Sequence, residues 1–84
     1  MIKVTVKFFA FFREQLGISA IDVECAQNSR VQDVLNRLYQ DFPRLAEMVK
    51  SQNTLCAVNH QLVGLEHALN NGDEVAFLPP VTGG

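Results

Sequence analysis

The last six residues of the chain, PPVTGG, combine residue types that suit the delivery of a reactive chain end. Pro79 and Pro80 favour an extended polyproline conformation that rises about 3.1 Å per residue, so six residues would span roughly 18 Å. Gly83 and Gly84 lack a Cβ atom, and their backbone therefore fits a slot too narrow for other residues. The sequence predicts a folded domain over residues 1–78 and a tail that carries the α-carboxylate of Gly84 into the site of another protein.

The chemistry open to Gly84 is set by its carboxylate, which reacts poorly as an electrophile because its leaving group would be oxide. ATP would convert the carboxylate to an acyl-adenylate, which has a good leaving group. A sulfur nucleophile would then displace AMP, and the product would be a thiocarboxylate. The sulfur of this group is ionised near neutral pH and is itself nucleophilic. Val81 and Thr82 carry no charge, so they would pass through the same channel as the glycines. Gly84 would thus carry sulfur in a protected form.

No other group of residues in the sequence predicts catalysis or a metal site. His60 and His67 are isolated and fit surface or turn positions. Asp73 and Glu74 follow a turn and fit a solvated charge pair, with a hydrogen bond to the turn backbone as the alternative. A Ser/His/Asp set, a phosphate-binding glycine loop and a metal-ligand spacing do not occur.

The two cysteines, Cys25 and Cys56, are far apart in the sequence and have no neighbouring ligand residues. Free cysteines are most often small buried hydrophobic residues, and that interpretation is favoured here over a thiol that relays sulfur. A disulfide is not expected in a reducing compartment.

Composition predicts one small domain that binds another protein. The chain has 84 residues, of which 48% are apolar and 19% charged, and its formal net charge is −2. A body of this size cannot bury all of its apolar surface, so an exposed apolar patch is expected. The Lys and Arg residues are scattered, which argues against nucleic acid or a membrane as partner. The apolar run at residues 8–12 is too short for a signal sequence, and no transmembrane stretch occurs, so a cytoplasmic protein is expected.

Hydrophobic periodicity predicts several short strands around one main helix. The predicted strands are residues 2–9, 18–25, 55–58, 61–63 and 74–78. An apolar stripe from Val31 to Phe42 predicts the main helix, with a capping box of Ser29 and Gln32 and a stop at Pro43. Short helical pieces are expected at residues 12–16 and 45–49, and a hairpin turn at residues 59–60. This order predicts a two-layer α+β domain, in which a mixed sheet has the main helix on one face.

The sheet face opposite the helix is predicted to bind a partner. Consecutive residues of a strand point to opposite faces, so Phe9 faces outward if Phe8 packs under the helix. Leu78 and Leu62 are predicted on the same uncovered face. Single exposed apolar residues need no explanation, but three on one face beside the tail favour an interface.

The segments GDEVAFLPPVTGG at residues 72–84 and LCAVN at residues 55–59 resemble the small, sulfur-carrier subunits of molybdopterin synthase. MIKV at the start and FFA at residues 8–10 fit the opening of that family. The resemblance implies the ubiquitin-like β-grasp fold. It also implies that Gly84 is adenylated by an E1-like adenylyltransferase that uses ATP, and is then converted to a thiocarboxylate (1-thioglycine) with sulfur from a donor such as a cysteine desulfurase or a rhodanese.

Further implications of the resemblance concern the partner and the reaction. The tail would enter the large synthase subunit, where its sulfur builds the dithiolene of molybdopterin on a cyclic pterin precursor. The subunits would form a heterotetramer through the face that carries Phe9, Leu62 and Leu78, continued by residues 79–82. The chain itself would be a non-catalytic subunit with no permanently bound cofactor. The alternatives are a sulfur carrier for another pathway, such as thiamine thiazole synthesis, and a ubiquitin-like protein modifier.

Overall fold

The computed structural model describes residues 1–51 and 54–78, which contain five strands and three helices. In chain order these are β1 (Ile2–Phe8), α1 (Phe11–Leu16), β2 (Ala20–Cys25), α2 (Val31–Asp41), α3 (Arg44–Ser51), β3 (Leu55–Val58), β4 (Gln61–Val63) and β5 (Glu74–Leu78). All five predicted strands and the main helix are confirmed, as are the two short helical pieces. The predicted tail, residues 79–84, lies outside the described residues.

The five strands form one mixed sheet with the order β2-β1-β5-β3-β4. The central pair, β1 and β5, is parallel, and the other three pairs are antiparallel. A parallel pair requires a crossover, and the chain between β1 and β5 supplies it with α2 and α3. The predicted α+β, β-grasp architecture is therefore confirmed, and it places the end of β5 in the middle of the sheet.

The hydrophobic core lies between the helices and one face of the sheet. Its fully buried side chains come from β1, β5, α1, α2 and α3, and include Val6, Phe8, Leu35, Leu45 and Phe77. The alternate residues of β1 are not part of this core, because successive side chains of a strand point to opposite faces. Within the described residues, every helix thus packs on one face, and the other face is open.

The start of α2 differs from the predicted capping box. The N-cap is Arg30, one residue after Ser29, and its backbone N–H donates to Asp33 Oδ2 at 2.8 Å. Ser29 is buried instead, and its hydroxyl donates to the carbonyl oxygen of Ala26 at 2.7 Å. The sequence pattern was misread by one residue because Ser29, a good capping residue, is used to close the preceding turn.

The turn that follows β1 holds a non-glycine residue in an unfavourable conformation. Ala10 has φ 50° and ψ −120°, and the N–H of Phe12 donates to the carbonyl oxygen of Phe9 at 3.1 Å. These angles are those of the first central position of a type II′ turn, where glycine is favoured because a Cβ atom clashes with the backbone. The turn directs Phe9 to the open face and Phe12 to the core.

Ala10→Gly is therefore expected to stabilise the protein by about 1 kcal/mol, since it removes the strain of an L-residue in this region of φ and ψ. Urea denaturation followed by circular dichroism measures the change. The matched control is Ala20→Gly in β2, which has an ordinary φ and is expected to lower the free energy of unfolding by about 0.5–1 kcal/mol. Equal effects of the two substitutions would contradict a strained turn.

Candidate functional site

The open face of the sheet is divided into an apolar end and a polar end. Strand register places its side chains in rows across the sheet. One row consists of Lys7, Ala76, Ala57 and Leu62, which are paired in sequence from β1 through β5 and β3 to β4. One side of this row is apolar, where Leu78 of β5 is paired with Leu55 of β3. The other side is polar, where Glu74 of β5 is paired with Thr5 of β1.

The apolar end brings together the three residues that the sequence predicts on this face. Phe9 and Leu62 are 42% and 65% exposed, and Leu78 is half-buried. They line one depression of about 400 Å³, whose floor contains Ala57 and Ala76. Exposed large apolar side chains gathered in one concave patch are typical of a protein interface.

Leu55 also lines this depression, and the sequence interpretation did not single it out. It lies opposite Leu78 on the neighbouring strand. Alternation along β3 shows that Leu55 and Ala57 share a face of the sheet, but it does not show which face. The register between β3 and β5 shows that it is the face that carries Leu78. Strand register is not encoded in the periodicity of a single strand.

The polar end of the face is centred on the carboxylate of Glu74. Lys7 Nζ lies 3.1 Å from the carboxylate of Glu74, and His60 Nε2 lies 3.7 Å from the other oxygen of that carboxylate. The His60 side chain is 88% exposed, as predicted for a turn residue. These pairs are solvent-accessible, so each contributes little to stability, and they border the apolar depression as a polar rim.

Asp73 holds the β3–β4 turn against the start of β5. Its predicted solvated state is wrong, and the alternative, a hydrogen bond to the turn backbone, is confirmed. It is only 9% exposed, and its carboxylate accepts hydrogen bonds from Asn59 Nδ2 at 2.9 Å and from the N–H of Asn70 at 2.8 Å. Asn59 Oδ1 in turn accepts the N–H of Glu74 at 3.0 Å. Asn59 and His60 both have positive φ, which confirms the predicted two-residue hairpin turn. The network fixes the strands that form the open face.

Asp73→Ala is expected to destabilise the protein by about 2 kcal/mol, because the buried carboxylate of Asp73 accepts two hydrogen bonds, from Asn59 and Asn70, and both are lost. Thermal unfolding measures the loss. Asp22→Ala is the matched control: that carboxylate is exposed and accepts one hydrogen bond from the Thr5 hydroxyl at 2.9 Å, so an effect of about 0.5 kcal/mol is expected. A loss at Asp73 no larger than at Asp22 would contradict the anchoring role.

Strand β5, the last described element, ends at this same apolar end. Strand β5 ends at Leu78, which lines the depression, and residues 79–84 follow it directly. Pro79, Pro80, Val81 and Thr82, predicted to continue the interface, and Gly83 and Gly84, predicted to carry the chemistry, lie outside the described residues. Their roles stay predictions.

Among the described residues, the two cysteines and the possible metal ligands are not arranged as a reactive site. Cys56 is buried, and burial raises the pKa of its thiol to about 11, so little of the reactive thiolate exists at neutral pH. Cys25 is half-buried rather than buried. Over residues 1–51 and 54–78, His, Cys, Asp and Glu side chains do not form a group of three that could hold a metal ion. Nor do these residues form a helix that is long and apolar enough to cross a membrane.

Comparison with known proteins gives a consistent result over almost the whole chain. The model of the ThiS family matches residues 6–84. The molybdopterin synthase sulfur carrier subunit of Escherichia coli is 43% identical over 96% of this chain and 99% of its own length. The corresponding subunit of Haemophilus influenzae is 41% identical over the same shares.

Solved structures confirm the fold. The small archaeal modifier protein 1 of Haloferax volcanii superposes with a TM-score of 0.86 at 26% identity, covering 96% of this chain and all of its own. A chain from the complex of subunits 1 and 2 of the molybdopterin-converting factor of Helicobacter pylori superposes with a TM-score of 0.64 at 26% identity, covering 99% of this chain and all of its own. The family model and the full-length relatives together show that the chain belongs to the ThiS family and is a homologue of the molybdopterin synthase sulfur carrier subunits.

Proposed function

We propose that this protein is the sulfur-carrier subunit of a molybdopterin synthase. The observation that carries the proposal is the position of the apolar depression, which lies at the end of β5 from which the PPVTGG segment continues. A partner that covers the depression would also receive the tail. The similarity to sulfur carrier subunits over almost the whole length supports this assignment.

The chemistry of the proposal takes place at the carboxylate of Gly84. An E1-like adenylyltransferase joins this carboxylate to AMP from ATP and releases pyrophosphate. A persulfide on the sulfur donor, a cysteine desulfurase or a rhodanese, attacks the acyl carbon and AMP leaves. A second thiol then reduces the acyl disulfide, which frees the thiocarboxylate and leaves the disulfide on the proteins that supplied the thiols.

The sulfur is used in the large synthase subunit, which is the proposed stable partner. The thiocarboxylate sulfur bonds to a carbon of the cyclic pterin precursor as an oxygen substituent leaves that carbon, and water then cleaves the acyl–sulfur bond. This returns the carboxylate to Gly84 and leaves the sulfur on the pterin, and a second carrier supplies the second sulfur of the dithiolene. The relative in Helicobacter pylori was solved as a complex of two subunits, which supports a partner of this kind.

In this proposal the chain binds and positions, while the catalytic groups belong to the partner. The described residues offer an apolar face with a polar rim, and the one thiol in the core has its pKa raised by burial. Phe9, Leu62 and Leu78 hold the body on the large subunit, Pro79 to Thr82 span its channel, and Gly83 admits the tip. Gly84 carries the sulfur.

A protein modifier is the second candidate function, because a small archaeal modifier protein shares the fold with a TM-score of 0.86. Activation of Gly84 would be the same, but a lysine amine of a target protein would replace AMP and form an isopeptide bond. The two functions therefore differ in the fate of the acyl-adenylate.

Intact-mass measurement of the protein purified from cells with active sulfur metabolism distinguishes the two functions. We expect a species heavier than the sequence mass by the exchange of one oxygen atom for one sulfur atom, located at Gly84 by fragmentation. Addition of purified large subunit and precursor should return this species to the carboxylate. A ladder of conjugates in place of the thiocarboxylate would overturn the carrier function in favour of the modifier.

A further inference from the structure

We infer that Ala57 and Ala76 form a socket for a large apolar side chain of the large subunit, and that their small size determines which partner docks. The inference rests on the proposed function and adds the chemistry of the contact. Ala57 and Ala76 are paired across β3 and β5, and both face the open side of the sheet. They are 7% and 9% exposed, although no helix of the described residues covers them.

The low exposure of the two alanines follows from the taller side chains around them. Leu62 lies beside Ala57 on β4, and Phe9, Leu55 and Leu78 lie on the tail side. The two methyl groups are therefore the floor of the depression, and the leucine and phenylalanine side chains are its walls. A side chain from a partner can reach this floor, whereas a flat surface cannot.

Alanine is a poor choice for the middle of a sheet unless its small size is needed. Strands favour β-branched and aromatic residues, and the other apolar residues of β5 are Val75, Phe77 and Leu78. A partner that covered the depression without filling it would leave a void of about 400 Å³, whose six apolar lining residues offer water no hydrogen bond and whose polar lining is limited to Glu74 and His60. Interfaces are packed as densely as protein interiors, and anchor residues occupy such pockets. An inserted apolar side chain is thus the occupant that the geometry requires.

The position of the socket next to the tail explains why the occupant belongs to the large subunit. Leu78 is both a wall of the socket and the last residue of β5, so residues 79–84 start at its border. A side chain seated on Ala57 and Ala76 fixes the distance from the sheet to the channel that receives the tail. The socket therefore sets both the affinity and the register of docking.

The test is to fill the socket from this side. Isothermal titration calorimetry with purified large subunit would compare Ala76→Leu and Ala57→Leu with the unchanged chain. Each is expected to raise the dissociation constant about tenfold or more, because the added atoms occupy the space of the partner's side chain. The matched control is Ala20→Leu, which adds the same atoms to the same face and the same row of the sheet, next to Lys7 but outside the socket. Its dissociation constant should stay within about twofold of the unchanged chain.

Circular dichroism and thermal unfolding of each chain alone would confirm that the variants fold. Ala76→Val and Ala57→Val add fewer atoms to the socket than the leucine substitutions. These variants are expected to fold in any case and to weaken binding less than the leucine variants do. The unchanged chain must bind the large subunit for the comparison to hold. If it does, and the socket variants bind as well as Ala20→Leu, the socket is overturned while the carrier function stands. An unchanged chain that does not bind the large subunit would overturn the proposed function and the socket with it.

Two alternative occupants of the socket would each be detected by a separate measurement on the full-length chain. Nuclear Overhauser contacts between the methyl groups of Ala57 or Ala76 and those of Val81 in the free protein would place the chain's own tail there. A dimer in light scattering that Ala76→Leu dissociates, with large-subunit binding unchanged, would place a second copy there. Either result would overturn the inference.

Discussion

Deletion of Gly84, or the addition of one alanine after it, is expected to reduce sulfur transfer in a reconstituted synthase by about 100-fold or more. Addition turns the acyl carbon of Gly84 into an unreactive amide and moves the free carboxylate by about 3.5 Å, the length of one extended residue. Deletion draws the carboxylate back by the same distance. Misplacement of a reacting group by about 1 Å can already cost about 100-fold in rate. The measurement is the formation of molybdopterin from the cyclic precursor, with thiocarboxylated chain and purified large subunit.

The stability of these variants should not change, which separates a loss of chemistry from a loss of fold. The core of the described residues extends from Ile2 to Phe77 and does not depend on position 84. Melting temperatures of the deletion and the extension should therefore equal that of the unchanged chain. Thr82→Ser, which keeps the length and both glycines, is the matched control and should retain most of the activity. Full turnover by the extended chain would contradict chemistry at the carboxylate of Gly84.

Periodicity predicts the strands, the main helix and the open face correctly because each is a local pattern. Phe9 was assigned to the open face from its neighbour Phe8 alone, and the structure confirms the assignment at 42% exposure. The errors at Ser29 and Asp73 concern polar residues whose partners lie in adjoining turns. Asp73 bonds Asn59, fourteen residues earlier in the chain, and the periodicity of neither residue indicates that contact.

The socket could not be predicted because it depends on strand register. Ala57 and Ala76 lie on different strands, and only the pairing of β3 with β5 brings their methyl groups together. Alternation showed which residues share a face of one strand, but not which lie opposite each other. The end of the chain that is proposed to react could be predicted, since the chemistry of a carboxylate after two glycines depends on sequence alone and not on the fold.

Leu62→Lys is expected to weaken binding to the large subunit by about 100-fold while the isolated chain stays folded. Leu62 is 65% exposed on the edge strand β4, so its replacement removes little core packing and the lysine remains hydrated in the free protein. In the complex, the ammonium group would be buried against Phe9, Leu55 and Leu78, and the carboxylate that lines the same depression, Glu74, is already paired with Lys7. Truncation of an anchor residue costs about 2–4 kcal/mol, and an unpaired buried charge adds to this. The dissociation constant from calorimetry measures the effect.

Leu65→Lys is the matched control, since it introduces the same charge at another exposed leucine. Leu65 is 38% exposed and lines the cavity between α2 and β4, not the depression of the open face. If the open face is the interface, Leu62→Lys weakens binding far more than Leu65→Lys, and sulfur transfer falls in parallel because the tail is no longer held at the channel. Equal losses would place the interface elsewhere or reflect charge alone. Unfolding of Leu62→Lys in circular dichroism would instead make Leu62 part of the core, contrary to its exposure, and would remove the basis for a docking face at this end of the sheet.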